Sequence, residues 1–154
     1  MKVISGGQTG VDRAALEAAL ELGLEHGGFC PSLRRAEDGP IPEKFQLVEL
    51  SSTSYAVRTR SNVLEGDGTL ILTPPQIGPG TRLTAKMAVQ YGKPWLAVDP
   101  YEDHVERAVS WISKEQIKVL NVAGPRESRI PGIGGIARIF LRKVFESLGI
   151  SALA

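Results

Sequence analysis

The apolar positions along the chain change period several times, and each change marks an element. Residues 2–5 read as a short buried strand, and from Val11 the apolar Val11, Ala14, Ala15, Leu16, Ala18, Ala19, Leu20 and Leu22 recur at helical spacing until Gly23 ends the run. Further strands are expected at 26–30, 45–50, 68–74, 95–99 and 117–124, mostly as continuous apolar runs of the kind that sheets covered on both faces contain. Helical stretches are expected at about 54–65, 81–91, 102–114 and 134–148. This alternation predicts a doubly wound α/β fold: a largely parallel sheet of six or more strands, with 2–5 near its centre and helices on both faces. The one long irregular stretch, "PSLRRAEDGPIPEK", is too charged and proline-rich to be an element, and a loop of that length is usually functional or mobile.

Composition narrows the class. With 154 residues, 42% hydrophobic and 23% charged, the chain reads as one soluble domain over 1–154. A formal net charge of +1 supplies no global field for nucleic acid or an anionic membrane, so any attraction for anions has to be local. The single Cys30, beside only His26 and His104, excludes an internal disulfide and leaves no credible metal site. A reducing cytoplasm is expected. The first strand begins at residue 2, so no leader is expected, and no apolar run approaches the ~20 residues of a membrane span.

In a doubly wound fold, chemistry collects at the carboxyl ends of the strands, so residues scattered in sequence can be read as one crevice. After the first strand come Gly6, Gly7, Gln8, Thr9, Gly10 and Asp12; after the second, Arg34, Arg35, Glu37 and Asp38. Later come Gly78, Gly80 and Thr81, and finally Asn121, Arg126, Ser128 and Arg129 ahead of the last helix. Glycines at 6, 7 and 10 leave backbone N–H groups uncovered where a helix begins, which suits an anion; the plainer alternative is a turn that only needs room. On the first reading a bulky β-branched residue at Gly7 abolishes ligand binding at little cost to a surface loop, and Asp12 orients a ligand hydroxyl or a neighbouring arginine.

The identity of the anion is limited by what the pattern lacks. Val11 and Asp12 follow Gly10 where a P-loop needs Lys and Ser or Thr, and the second strand leads to Arg34 and Arg35 rather than to a ribose-binding acid, so a P-loop nucleotide and NAD are both disfavoured. A phosphorylated small ligand or mononucleotide remains. Glu37 and Asp38 diverge as neighbours in an extended loop and make a poor acid–base pair. Cys30 reads as a packing residue, with a reactive thiolate beside Arg34 and Arg35 as the alternative. "YAVRTRSNV" places Tyr55, Thr59 and Asn62 on one helical face with Arg58 four residues before Asn62, a stripe that is either solvated or part of the crevice.

Together, "SGGQTGVDRAAL", "GGFCPSLRRAEDGPIPE", "YAVRTRSNVLEGDGTLIL", "GPGTRLTAKMAVQYGKP" and "VLNVAGPRESRIPGI" resemble the molybdenum (cofactor) carrier family. That family is a circularly permuted branch of the SLOG, lysine-decarboxylase-like Rossmann superfamily. The resemblance runs from Lys2 to about Leu148. It implies a Rossmann-like three-layer α/β/α sandwich, a homo-oligomer (dimer or tetramer) and non-catalytic binding of a phosphorylated pterin or nucleotide-like ligand, the molybdenum cofactor (molybdopterin) in particular, with molybdoenzymes as partners. The phosphoribohydrolases of the superfamily carry a Gly-Thr-x-x-Glu motif whose glutamate is catalytic, and here Gly80 and Thr81 match while Thr84 stands at the glutamate position. A nucleotide-processing hydrolase would need another carboxylate, from Asp12, Glu37, Asp38 or Glu127, and is the alternative to a carrier or nucleotide sensor.

Overall fold

The apolar runs become the strands of one parallel sheet. The computed structural model describes residues 1–76 and 78–150; Ile77 and the last four positions of the expected 1–154 domain lie outside them. The elements are β1 (Lys2–Ile4), α1 (Val11–Glu21), β2 (Glu25–Gly27), β3 (Phe29–Cys30), β4 (Arg35–Ala36), β5 (Gly39–Pro40), β6 (Val48–Glu49), α2 (Tyr55–Glu65), β7 (Gly68–Leu72), α3 (Pro79–Gln90), β8 (Trp95–Val98), α4 (Val105–Lys114), β9 (Val119–Ala123) and α5 (Ile133–Ser147). The main sheet has the order β2-β1-β9-β7-β8, with every neighbouring pair parallel. On one face α1 packs on α5 and α5 on α4; on the other α2 packs on α3. The result is a three-layer α/β/α sandwich of Rossmann type.

The two faces of the sheet differ in chemistry. Leu70, Leu72, Leu120 and Val122 join Ala14, Ala18, Leu141 and Phe145 in the main core, where burying each large side chain is worth roughly 1.5–3 kcal/mol. Because side chains alternate along a strand, the neighbouring Thr69 and Asn121 turn toward the α2–α3 layer. Both are buried, and Asn121 Nδ2 donates to Thr69 Oγ1 at 3.2 Å. Helix ends follow their sequence signals: Ser54 Oγ accepts the Val57 N–H that opens α2, and Gly23, at φ +67°, terminates α1.

The sheet has five strands rather than six or more, and β1 lies second from an edge with β9 at the centre. The cause lies at Gly28, which breaks the expected 26–30 strand. Its φ is +120°, and a Cβ there would lie 2.3 Å from the Ser5 carbonyl oxygen. The chain therefore leaves the main sheet after Gly27, and Phe29–Cys30 pairs with Val48–Glu49 in a separate two-stranded ladder. Within 45–50 Phe45 is buried but Val48 is 58% exposed, which suits a rim and not a sheet covered on both faces.

Residues 31–44 carry more structure than their composition predicts. A single turn of 3-10 helix (Ser32–Arg34) and the β4–β5 hairpin close over a second, smaller core of Leu16, Cys30, Ala36, Ile41 and Phe45. Cys30 is fully buried there and burial pushes its thiol pKa up, so it packs as a small apolar group. With α1 and α5 on one face and α3 on the other, the carboxyl ends of β9 and β7 part as a crevice.

Candidate functional site

A cavity of about 500 Å³ opens at that crevice. The elbow between β1 and α1 contributes Gly6, Gln8 and Asp12, and α2 contributes Tyr55, Arg58, Thr59 and Asn62. The first turns of α3 add Gly78, Gly80, Thr81 and Thr84; β9 and the segment after it add Asn121, Arg126, Ser128 and Arg129. Ten expected positions therefore meet in one hollow: Gly6, Gln8, Asp12, Gly78, Gly80, Thr81, Asn121, Arg126, Ser128 and Arg129.

The others lie elsewhere. Gly7 is buried and faces the small core, where a Cβ would sit 2.7 Å from both Ile41 Cδ1 and Leu47 Cδ1. The elbow is thus no free surface loop, and a bulky residue at Gly7 strains the fold before it reaches a ligand. Thr9 and Gly10 line a separate hollow with Arg13, Glu17 and Glu127. Arg34 donates to the carbonyls of Ile41, Pro42 and Phe45 and so holds the 31–44 loop together. The elbow amides expected to cradle an anion are partly engaged already: Gly7 N–H donates to Ser5 Oγ, Thr9 N–H to Gln8 Oε1 and Val11 N–H to the Pro125 carbonyl.

Positive charge concentrates around one aromatic ring. The guanidinium carbons of Arg35, Arg58 and Arg126 lie 4.7, 5.3 and 5.3 Å from the Tyr55 ring centroid, within cation–π range. Arg58 was not among the charged residues expected at the site. Its signal was the Tyr55–Thr59–Asn62 stripe, an unusual composition for a solvated helix face, and α2 turns that stripe inward. Asn62 fixes the helix by accepting the Phe29 N–H and donating to the Phe29 carbonyl. Two glycines make room for the arginines: a Cβ on Gly6 would lie 2.2 Å from Arg58 Cδ, and one on Gly78 would lie 2.4 Å from Arg129 Nε. Arg129 therefore rests against the N-cap of α3, where Gly80 has open space beside its Cα and the helix dipole favours an anion.

Asp12 is the one acid on the cavity wall among the described residues. Burial raises its pKa to about 6, opposed by Arg58, the Gln8 backbone N–H, Arg13 and Arg126; the Arg58 Nη1 lies 3.4 Å from its carboxylate. Asp12 so orients an arginine. Glu37 and Asp38 diverge, as expected of neighbours in a loop. Asp38 takes a bidentate pair from Arg13, which holds its carboxyl below the usual range. For Glu37, burial works upward but is outweighed by the Ser128 hydroxyl, the Thr9 hydroxyl, the Ser128 N–H and Arg126, which together hold the carboxyl low. Glu37 clasps the 31–44 loop to the segment after β9, and it commits the Ser128 hydroxyl to that clasp. Thr84 Oγ1 donates back to the Gly80 carbonyl at 3.1 Å, inside its own helix. Among the described residues no cluster of three His, Cys, Asp or Glu side chains could hold a metal ion, and no helix is long and apolar enough to cross a membrane.

The chain is thus an α/β protein of Rossmann type with an arginine-walled crevice at the carboxyl ends of its strands. Residues 3–145 match the circularly permutated YpsA SLOG family, and the chain belongs to it. It is also similar to the crystal structure of a "Putative molybdenum carrier protein" from Syntrophus aciditrophicus SB, with 42% identity, 93% of each chain covered and a TM-score of 0.88. No curated protein matches it.

Proposed function

We propose that the chain is a carrier that holds a phosphorylated, ring-bearing small molecule, the molybdenum cofactor in the first place, without turning it over. The observation that carries this reading is the charge imbalance of the cavity: Arg58, Arg126 and Arg129 on its wall against the single Asp12. Guanidiniums gathered in a partly desolvated hollow call for an anion, and charge-assisted hydrogen bonds to phosphate are the strong ones. The phosphate belongs at the first turn of α3, with Gly80 and Thr81 supplying backbone N–H groups and Arg129 and Arg126 the charge. The similarity to a protein named for molybdenum carriage supports the choice of cargo. The homo-oligomer, the cytoplasmic setting and the molybdoenzyme partners implied by the family resemblance belong to the same proposal.

Mass spectrometry of small molecules released from the natively purified protein, with molybdenum measured in parallel, tests it. A pterin phosphate is expected, and Arg129→Ala should weaken its rebinding by about 1.5–3 kcal/mol in calorimetry. Thr84 stands where the phosphoribohydrolases have a carboxylate, and its hydroxyl is tied to the helix backbone. Incubation with nucleoside monophosphates is therefore expected to release no ribose 5-phosphate; steady release would replace the carrier by a hydrolase using Asp12.

A further inference from the structure

Arg58 reaches from α2 across the opening elbow and is held there loosely. Its Nη1 alone is engaged, with the Gly6 carbonyl and an Asp12 carboxylate oxygen, each at 3.4 Å, beyond the usual range of about 2.7–3.2 Å. Nε and Nη2 take no hydrogen-bond partner among the described residues, and neither is sealed from open space. The Tyr55 ring, 5.3 Å from the guanidinium carbon, attracts the charge without using a donor. The side chain is only 12% exposed, so its spare donors have lost most of their water. A guanidinium so placed on a cavity wall is short of acceptors, which an oxyanion supplies.

Asp12 is what draws it to the elbow. The charged groups that act on its carboxylate are Arg58 from α2, Arg13 from its own helix and Arg126 from the segment after β9, together with the Gln8 N–H. Arg13 is committed to Asp38 and to the Gly7 carbonyl, and Arg126 lies 4.0 Å from Glu37. Arg58 has its ion pair with Asp12. An anion that enters the cavity therefore competes with Asp12 for Arg58. Burial favours the neutral carboxyl and raises its pKa to about 6 against the arginines, which brings its protonation within reach of a mildly acidic medium.

On the reading of the cavity as an anion site, we propose that Asp12 is a positioning residue that meters Arg58 to the ligand. Ionised, it keeps the guanidinium on the elbow as its own counter-ion; neutralised by a proton, it releases the guanidinium to the ligand's oxyanion. Anion binding then takes up a proton, and the cavity loads more tightly in acidic than in alkaline medium.

Equilibrium dialysis with labelled sulfate at pH 5.5 and 8.5 and constant ionic strength tests this, because sulfate stays dianionic at both. Wild type is expected to bind on the order of tenfold more tightly at pH 5.5. Asp12→Asn keeps His26, His104 and the general gain of positive charge on acidification; it should bind tightly at both pH values and lose most of that ratio. Its gain at pH 8.5 should vanish when it is combined with Arg58→Gln, since no guanidinium is then left to release. An equal gain in that background would mean that Asp12 only repels the anion, and would overturn the proposal. The same pH ratio in wild type and Asp12→Asn would leave the anion cavity standing and overturn the role of Asp12. No sulfate bound by wild type at either pH would overturn both. Should Arg58→Gln not fold, Arg58→Met, which keeps an apolar stem beside Gly6, takes its place.

Discussion

Asp12 shows how one side chain couples the stability of the fold to its site. Its carboxyl is raised from 3.8 to about 6, so between those values the folded protein holds a proton that the unfolded chain has released. For this group the unfolded state binds fewer protons, and stability falls as pH rises through that window. At pH 7 the charged, buried form costs on the order of 3 kcal/mol relative to an ordinary carboxyl. The facing guanidiniums of Arg58, Arg13 and Arg126 oppose the rise and only moderate the effect. Glu37, Asp38 and Asp67 have lowered values, so their contributions are lost only on acidification below the usual carboxylate range. Urea unfolding at pH 5 and pH 7 is expected to show the excess stability at pH 5 shrinking in Asp12→Asn relative to wild type; an unchanged difference would mean that Asp12 is not held as the buried, desolvated group described. From the sequence, Asp12 was expected to orient either a ligand hydroxyl or a neighbouring arginine. The sequence could not name Arg58, because that pairing depends on how α2 lies across the elbow, a contact between positions far apart in the chain.

At the scale of elements, the helices and most strands were legible because each carries its own period and stop signals. What was not legible depended on close approach. Nothing local in "HGGFC" says that Gly28 must pass against Ser5, so one expected strand became two and the sheet lost its sixth member. The same holds for the opening elbow. Its glycines read as access for an anion, yet only Gly6 faces the cavity, where it yields room to Arg58, while Gly7 turns into the small core. Gly7→Val meets Ile41 and Leu47 at a φ of +75°, which combines overpacking with a backbone conformation that β-branched residues avoid. A loss of about 3 kcal/mol or more in chemical denaturation is expected. A wild-type midpoint would show that the elbow tolerates side chains, restoring the surface-loop reading. Gly80→Ala makes the better binding probe, since a Cβ there meets nothing within 4 Å and any lost affinity reports on ligand rather than fold.

For the molecule as a whole, the near-zero net charge conceals a strong local separation. Arg35, Arg58 and Arg126 converge on Tyr55, and Arg129 lies at the start of α3, while the nearby carboxylates are mostly engaged elsewhere: Asp38 pairs with Arg13, and Glu37, held by the Ser128 clasp, reaches Arg126 only at 4.0 Å. Like charges held together in a partly desolvated hollow oppose folding, so any dianion that bridges them should stabilise the native state through linkage. A bound anion at 100 times its dissociation constant adds about 2.7 kcal/mol, which for a domain of this size raises Tm by roughly 5–10 °C. Millimolar sulfate is a convenient probe because it does not titrate near neutrality. Sulfate also stabilises proteins generally by exclusion from their surfaces, so the informative quantity is the sulfate-minus-chloride shift in wild type less that in Arg126→Ala/Arg129→Ala at equal ionic strength. The wild-type excess is expected to be several degrees and to saturate with concentration, as a site does and an exclusion effect does not. A shift that stays linear and equal in both proteins would mean that the guanidiniums are already satisfied within the fold and that the cavity does not select anions.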